Sequence, residues 1–333
     1  MEPHCNFWGT RSFLRRLFTL LTLLIAAFAA SAQSYPQRPV RIIVPYPPGS
    51  GTDIAARLMG QKLSDLWTQP LVIENRPGAA AMIGTDAVAK APADGYTIGI
   101  ADVSSLAINM SLYSKVAYDP VKDLAAVSLV ANVPFILVAS PGVPARNVPE
   151  LIALAKSRPG QLNYASVGNG SAVHLAMELF QMRAGIQLTH VPYKGSAPAL
   201  QGLLGGETSV MFVNLLSALP LVQSGKLRAL AAAPATRISS VPDLPTIAEA
   251  GLPGYDFNAW FGIVAPAGTP KAVVDKLNQD LRRVIALPEI REMFINKGGF
   301  EPVGSSVESF TAYIPAEIER WGKVVRATGA KAD

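Results

Sequence analysis

The stretch Val40-Arg-Ile-Ile-Val-Pro-Tyr-Pro-Pro-Gly-Ser-Gly-Thr-Asp53 decides the architecture. Val40–Val44 is a β-branched apolar run and reads as a buried strand. Pro45 stops it, and Pro47-Pro48-Gly49-Ser50-Gly51 continues neither a strand nor a helix. Thr52 and Asp53 stand where an N-cap and a first-turn acid belong. Behind them Ile54, Leu58, Met59, Leu63 and Leu66 recur at helical spacing. Strand, glycine turn and helix form an anion cradle: the N–H groups of the turn and of the helix N-terminus converge, and the helix dipole favours negative charge there.

The same alternation runs outward along the chain and predicts an α/β fold with mostly parallel strands. Strands are expected at 71–74, 96–101, 125–130, 135–139, 162–165, 189–191, 210–213, 227–231 and 257–264, with Asn132-Val133-Pro134 splitting the fourth from the fifth. Helices are expected at 82–90, 148–157, after Ser171, from Ala197 or Pro198, from Asn214, and at 271–286 and 288–297. A last helix carries Val307, Phe310, Ile314, Trp321 and Val325, and Pro315 should kink or restart it. A second strand–glycine turn–helix, at 166–171, repeats the cradle. Both lie at the carboxyl ends of strands, where open α/β sheets bind ligands. The chain leaves one half near 131–134 and returns near 255–260. Two such crossovers would hinge two lobes, 33–131 with 257–333 and 132–256. Residues 234–256 lack any period and form a long connection.

The N-terminus reads as an address. Arg11, Arg15 and Arg16 precede the apolar run 17–28, and Ala30-Ser31-Ala32 is an A-x-A cleavage site, so 1–32 is expected to be removed and the mature chain to start at Gln33. Arg15-Arg16 weakly resembles a twin-arginine signal, although so apolar a run favours the general secretory route. No later stretch is long and apolar enough to span a bilayer. An exported, soluble, periplasmic protein is expected. The only cysteine of the 333 residues, Cys5, would leave with the signal, which removes disulfides and thiolate chemistry from the mature chain. Of the formal charge of +5, three arginines and one glutamate fall in 1–32, leaving +3. With no basic run that argues against nucleic acid, and it suits a small anion.

Enzyme signatures are weak. Gly49-Ser50-Gly51 with Glu74 imitates a dinucleotide fingerprint, but Ile54 stands at the last glycine position. No lysine follows the glycines, so there is no P-loop. No G-x-S-x-G elbow, H-E-x-x-H or EF-hand loop occurs, so no metal or other cofactor is expected. A secreted hydrolase or isomerase using Ser171 or Asp53 with His174 is the alternative from another class. The structural readings compete throughout. Asp53 braces a loop, His174 satisfies a helix cap, His190 is a strand histidine, and Asn214 caps a helix. Ser104 and Ser105 cap a turn or donate to a ligand. Trp260 and Phe261 line a cleft or pack a hinge. Lys194, beside a glycine at a strand end, suits a selectivity or closure element.

Five motifs in order carry a resemblance: Pro45-Tyr-Pro-Pro-Gly-Ser-Gly-Thr-Asp53, Ile73-Glu-Asn-Arg-Pro-Gly-Ala79, Ala91-Pro-Ala-Asp-Gly-Tyr-Thr97, Val191-Pro-Tyr-Lys-Gly195 and Trp260-Phe-Gly-Ile-Val-Ala-Pro-Ala-Gly-Thr-Pro270. From about Tyr35 to the C-terminus the chain resembles the Bug family, extracytoplasmic solute receptors of tripartite tricarboxylate transporters. The resemblance implies a two-lobed type II periplasmic binding fold, with two doubly wound mixed sheets and a hinge. It also implies a monomer that closes on an organic carboxylate and delivers it to the transporter's membrane subunits without chemistry. A receptor signalling to a membrane partner would share that fold. The ligand-binding set it implies is Tyr46, Pro48, Gly49, Ser50, Gly51, Thr52 and Asp53 with Ser104 and Ser105 on one side. On the other it is Ser166, Gly168, Asn169, Gly170 and Ser171 with Tyr193, Lys194, Gly195 and Asn214. Two departures stand out. Ser50 replaces a third consecutive glycine, and Pro315 interrupts a helix that should be continuous.

Overall fold

The computed structural model describes residues 35–331. The expected signal segment 1–32, its expected cleavage site, the expected start at Gln33 and Cys5 lie outside the described residues. β1 (Val40–Val44) leads through α1 (Gly51–Trp67) to β2 (Leu71–Asn75), and α2 (Met82–Ala89) leads on to β3 (Thr97–Asp102). β1 pairs in parallel with both β2 and β3. This is the pairing expected of apolar strands that alternate with helices. A π-helical turn (Ser104–Ile108) and the short α3 (Asn109–Leu112) precede the long β4 (Leu124–Ala139).

Next come α4 (Val148–Ser157), β5 (Asn163–Ser166), α5 (Ala172–Ala184), β6 (Thr189–Pro192), α6 (Ser196–Leu204), β7 (Val210–Asn214), α7 (Leu215–Gln223) and β8 (Arg228–Ala232). The chain returns through β9 (Asn258–Pro266), α8 (Lys271–Ile285), α9 (Pro288–Met293), a second π-helical turn (Phe294–Gly298), β10 (Glu301–Pro302) and α10 (Val307–Thr328). The strands follow the path β2-β1-β3-β9-β4-β7-β5-β6, with β8 and β10 also paired to β4. β9 is antiparallel to both β3 and β4, so the sheet is mixed. No described helix is long and apolar enough to cross a membrane.

Two expectations are corrected. Asn132-Val133-Pro134 does not split two strands; β4 runs through it, with Val133 opposite Ala259 and Pro134 opposite Asn258. Pro134 is where pairing with β9 ends, and from Phe135 the strand pairs with β7. A missing N–H is least costly at such an exchange of partners. Pro315 does not restart the last helix, because α10 is continuous across it. Pro315 and Thr311 are both exposed, so the Thr311 carbonyl that loses its helical donor faces water.

α10 lies directly on β9. A Cβ at Gly262 would stand 2.4 Å from the Phe310 ring and 2.7 Å from the Ser128 carbonyl, so only glycine admits the helix so close. Glu317 on α10 is almost fully buried, and its carboxylate accepts from Trp260 Nε1 (2.9 Å), Trp321 Nε1 (3.1 Å) and Arg320 (2.9 Å). A charge so placed is tolerable because it is paired and its lone pairs are used. Trp260 thereby joins β9 to α10, and the Trp321 ring meets Phe257 edge-on at 5.9 Å.

Candidate functional site

The turn after β1 is built by its own side chains. Ser50, not Thr52, is the N-cap of α1: its hydroxyl accepts from Asp53 N at 3.3 Å. Gly49 adopts a φ of 81°, which lets its N–H reach Asp53 Oδ2 at 2.9 Å. Asp53 is buried and also accepts from Arg57 (2.9 and 3.0 Å) and from Asn75 (2.9 Å). Burial pushes this carboxyl up, but the bonds from Arg57, Gly49 and Asn75 outweigh it and hold it below the usual range. Asp53 therefore braces the loop from behind.

The second turn repeats the device. Ser171 caps α5, accepting from His174 N (3.3 Å) and donating to the Gly168 carbonyl (2.8 Å). Asn214 caps α7 through Ser217 N at 2.8 Å, and Gly195 opens α6. The first amides of a capped helix have no intrahelical acceptor and point outward. Four helices of nine or more residues thus open at Gly51, Ala172, Ser196 and Leu215.

All four open onto one cavity of about 860 Å³. Its wall includes Tyr46, Gly49, Ser50, Gly51, Thr52 and Ser104 from the β1–β3 side. Gly168, Asn169, Gly170, Ser171 and Asn214 come from the β5–β7 side. Of the residues expected to bind a ligand, those eleven are brought together. The other seven are not on the wall. Pro48 is exposed, and Asp53 faces Arg57 and Asn75. Ser105 is fully buried and bonded to Asp102. Ser166 is fully buried against His190 (2.6 Å). Tyr193 turns its hydroxyl to Glu207 (3.1 Å), while Lys194 is exposed and Gly195 lies one residue before the wall residue Ser196.

Other wall residues escaped the sequence reading. Phe135, Phe300, Asn109 and Tyr113 line the cavity beside Trp260 and Phe261, for which the sequence offered a cleft-lining reading, and no local pattern marks Phe300 as their neighbour. Asp102 had a usable signal, since it ends an apolar strand at the edge where ligands bind. Its Oδ1 accepts from Ser105 N at 3.0 Å, and its Oδ2 accepts from the Tyr46 hydroxyl. Burial pushes the Asp102 carboxyl above its usual range despite these donors. Burial, then the neighbouring Asp102, raises the Tyr46 phenol in turn.

The hydrolase alternative needs His174 free to act on Ser171 or Asp53, and its partners are otherwise engaged. His174 Nδ1 accepts from Gly170 N at 3.0 Å, and the ring stacks on His190 with centroids 4.1 Å apart. Burial lowers the pKa of His174, and burial followed by the neighbouring His174 brings His190 down to about 4.

A model of the "Tripartite tricarboxylate transporter family receptor" matches residues 55–330. The chain belongs to this receptor family. Protein BugT of Bordetella pertussis is 40% identical over 323 residues, spanning 96% of this chain and 99% of that protein. Two solved structures are also similar. One, "R. palustris Rpa4515 with adipate", has a TM-score of 0.78 and 38% identity, and covers 90% of this chain and 99% of its own. The other is MatC from Rhodopseudomonas palustris with bound malate, with a TM-score of 0.74 and 33% identity, covering 87% and 100%. The α/β class and the family resemblance carried by the five motifs both stand in this receptor family.

Proposed function

We propose that this chain is a periplasmic receptor that binds an organic carboxylate in the 860 Å³ cavity and delivers it, unchanged, to the membrane subunits of a tripartite tricarboxylate transporter. One observation carries the reading. Four helix N-termini open onto the cavity, while no lysine, arginine or histidine stands among its described wall residues. An anion there is held by backbone N–H groups and hydroxyls, whose charge-assisted bonds strengthen as water is excluded. The adipate and malate in the similar receptors support the carboxylate class.

In this reading 33–131 with 257–333 forms one lobe and 132–256 the other, and β4 and β9 are the two crossing strands. A solute touching both walls binds the closed form better and draws the population toward it. The arginine-led apolar run and Ala30-Ser31-Ala32 support export with cleavage after Ala32. Thermal shift across mono-, di- and tricarboxylates tests the binding. A ligand at about 100 times its dissociation constant should add roughly 2.7 kcal/mol to stability. A neutral sugar or an amine that shifts the midpoint while no carboxylate does would overturn the proposal.

A further inference from the structure

The two sides of the cavity differ in charge. On the β5–β7 side three helices open, at Ala172, Ser196 and Leu215, and no described acid lines that side. On the β1–β3 side the turn at Gly49–Thr52 is joined by Asp102, the only charged residue on the described wall. Oδ1 of Asp102 takes the N–H of Ser105 (3.0 Å) and contacts its hydroxyl (3.1 Å). Oδ2 takes the Tyr46 hydroxyl. The Ser104 backbone N–H also bonds this carboxylate, which has about four acceptor sites in all, and the Ser105 hydroxyl can turn instead to the Asp102 carbonyl (3.3 Å), which frees one of them. Asn or Ser would cap the turn after β3 as well as Asp does. The charge itself is thus surplus to that structural task, and it stands on the cavity wall.

We infer that Asp102 selects a solute carrying one carboxylate and, at its other end, a nitrogen-borne donor such as an ammonium, and rejects one carrying a second carboxylate. The inference rests on the carboxylate reading above. The single carboxylate belongs with the three helix N-termini of the far wall, and Trp260, Phe261, Phe135 and Phe300 offer apolar surface between the two ends. A second carboxylate beside Asp102 would meet a like charge in a partly desolvated site with no cationic side chain on the wall to offset it. An ammonium there gains a charge-assisted hydrogen bond. Burial already raises the Asp102 carboxyl; a cation would relieve that and an anion would add to it. Lys194 is the cation to watch, because it is exposed near the end of β6 and off the wall.

Isothermal titration calorimetry with two matched trios tests this: adipate, 6-aminohexanoate and hexanoate; terephthalate, 4-(aminomethyl)benzoate and 4-methylbenzoate. In the natural protein the amino acid of a trio should bind at least about tenfold tighter than its diacid. Asp102→Asn should erase or invert that ratio. A diacid that binds tightest in the natural protein overturns the inference, and so does a ratio unchanged in Asp102→Asn. Diacid binding that disappears in Lys194→Ala overturns it too, because the closed cleft would then recruit its own cation. Should Asp102→Asn not fold, the ratio in the natural protein decides alone. If none of the six acids binds while another carboxylate does, this inference is overturned alone; if no carboxylate binds at all, the carboxylate reading fails and takes it along.

Discussion

Ser50 is both cap and wall. Its hydroxyl holds Asp53 N, so the side chain is spent on the first turn of α1, and in the proposed reading the amides of Gly51 and Thr52 are left to the solute. Ser50→Ala should cost about 1 kcal/mol of stability and Ser50→Gly only a few tenths, since glycine caps tolerably. Urea unfolding of the two variants measures this, and equal losses would mean the cap contributes nothing. Sequence placed the cap at Thr52, two residues late, because both residues can cap and the φ of Gly49 that sets the helix start is not written in local composition. Asp53 was legible as a brace, but its partner Asn75 sits on β2 and could be named only once β1 and β2 were paired.

At the scale of elements, the aromatic stack beneath the second turn has a pH signature. Tyr164 on β5, His190 on β6 and His174 on α5 stack with centroids 4.8 and 4.1 Å apart. Burial, with the neighbouring His174, holds His190 at about 4 against an ordinary 6.5. The unfolded chain therefore binds a proton at that histidine between those values and the folded chain does not. Stability should rise with pH across that window and level off above it. The ring is only half-buried and solvent screens it, so the change is discounted to roughly 1–2 kcal/mol. Urea titrations at several pH values should show the slope, and His190→Gln should flatten most of it; an undiminished slope in the variant would assign the effect elsewhere. Asp53, held low, loses its contribution only in more acid solution, as pH falls through its folded value. Strand and helix existence was readable from periodicity, whereas continuity was not. β4 persists through Pro134 because of whom it pairs with, and α10 persists through Pro315 because that face meets water.

For the whole molecule, the strand path carries residues distant in sequence to one cavity: Tyr46, Asp102, Gly168, Asn214, Trp260 and Phe300. The glycine turns announced themselves by their own composition. The aromatic wall did not, since Phe300 follows a π-helical turn and reaches the cavity only through the folding of the last third of the chain. The central claim is that the solute is held between the two walls by backbone amides and hydroxyls, those of the turn Gly49–Thr52 among them, rather than by a cationic side chain. Gly49→Val tests it most directly, because a β-branched residue at a φ of 81° must rearrange the turn, at roughly 1–3 kcal/mol of local strain, while the position is exposed and packs against nothing. Titration calorimetry with the carboxylate that gives the largest thermal shift should find its binding abolished in Gly49→Val while circular dichroism stays that of the natural protein and the ligand-free melting midpoint falls by no more than that strain implies. Undiminished affinity in that variant would remove the turn from the site and contradict the account.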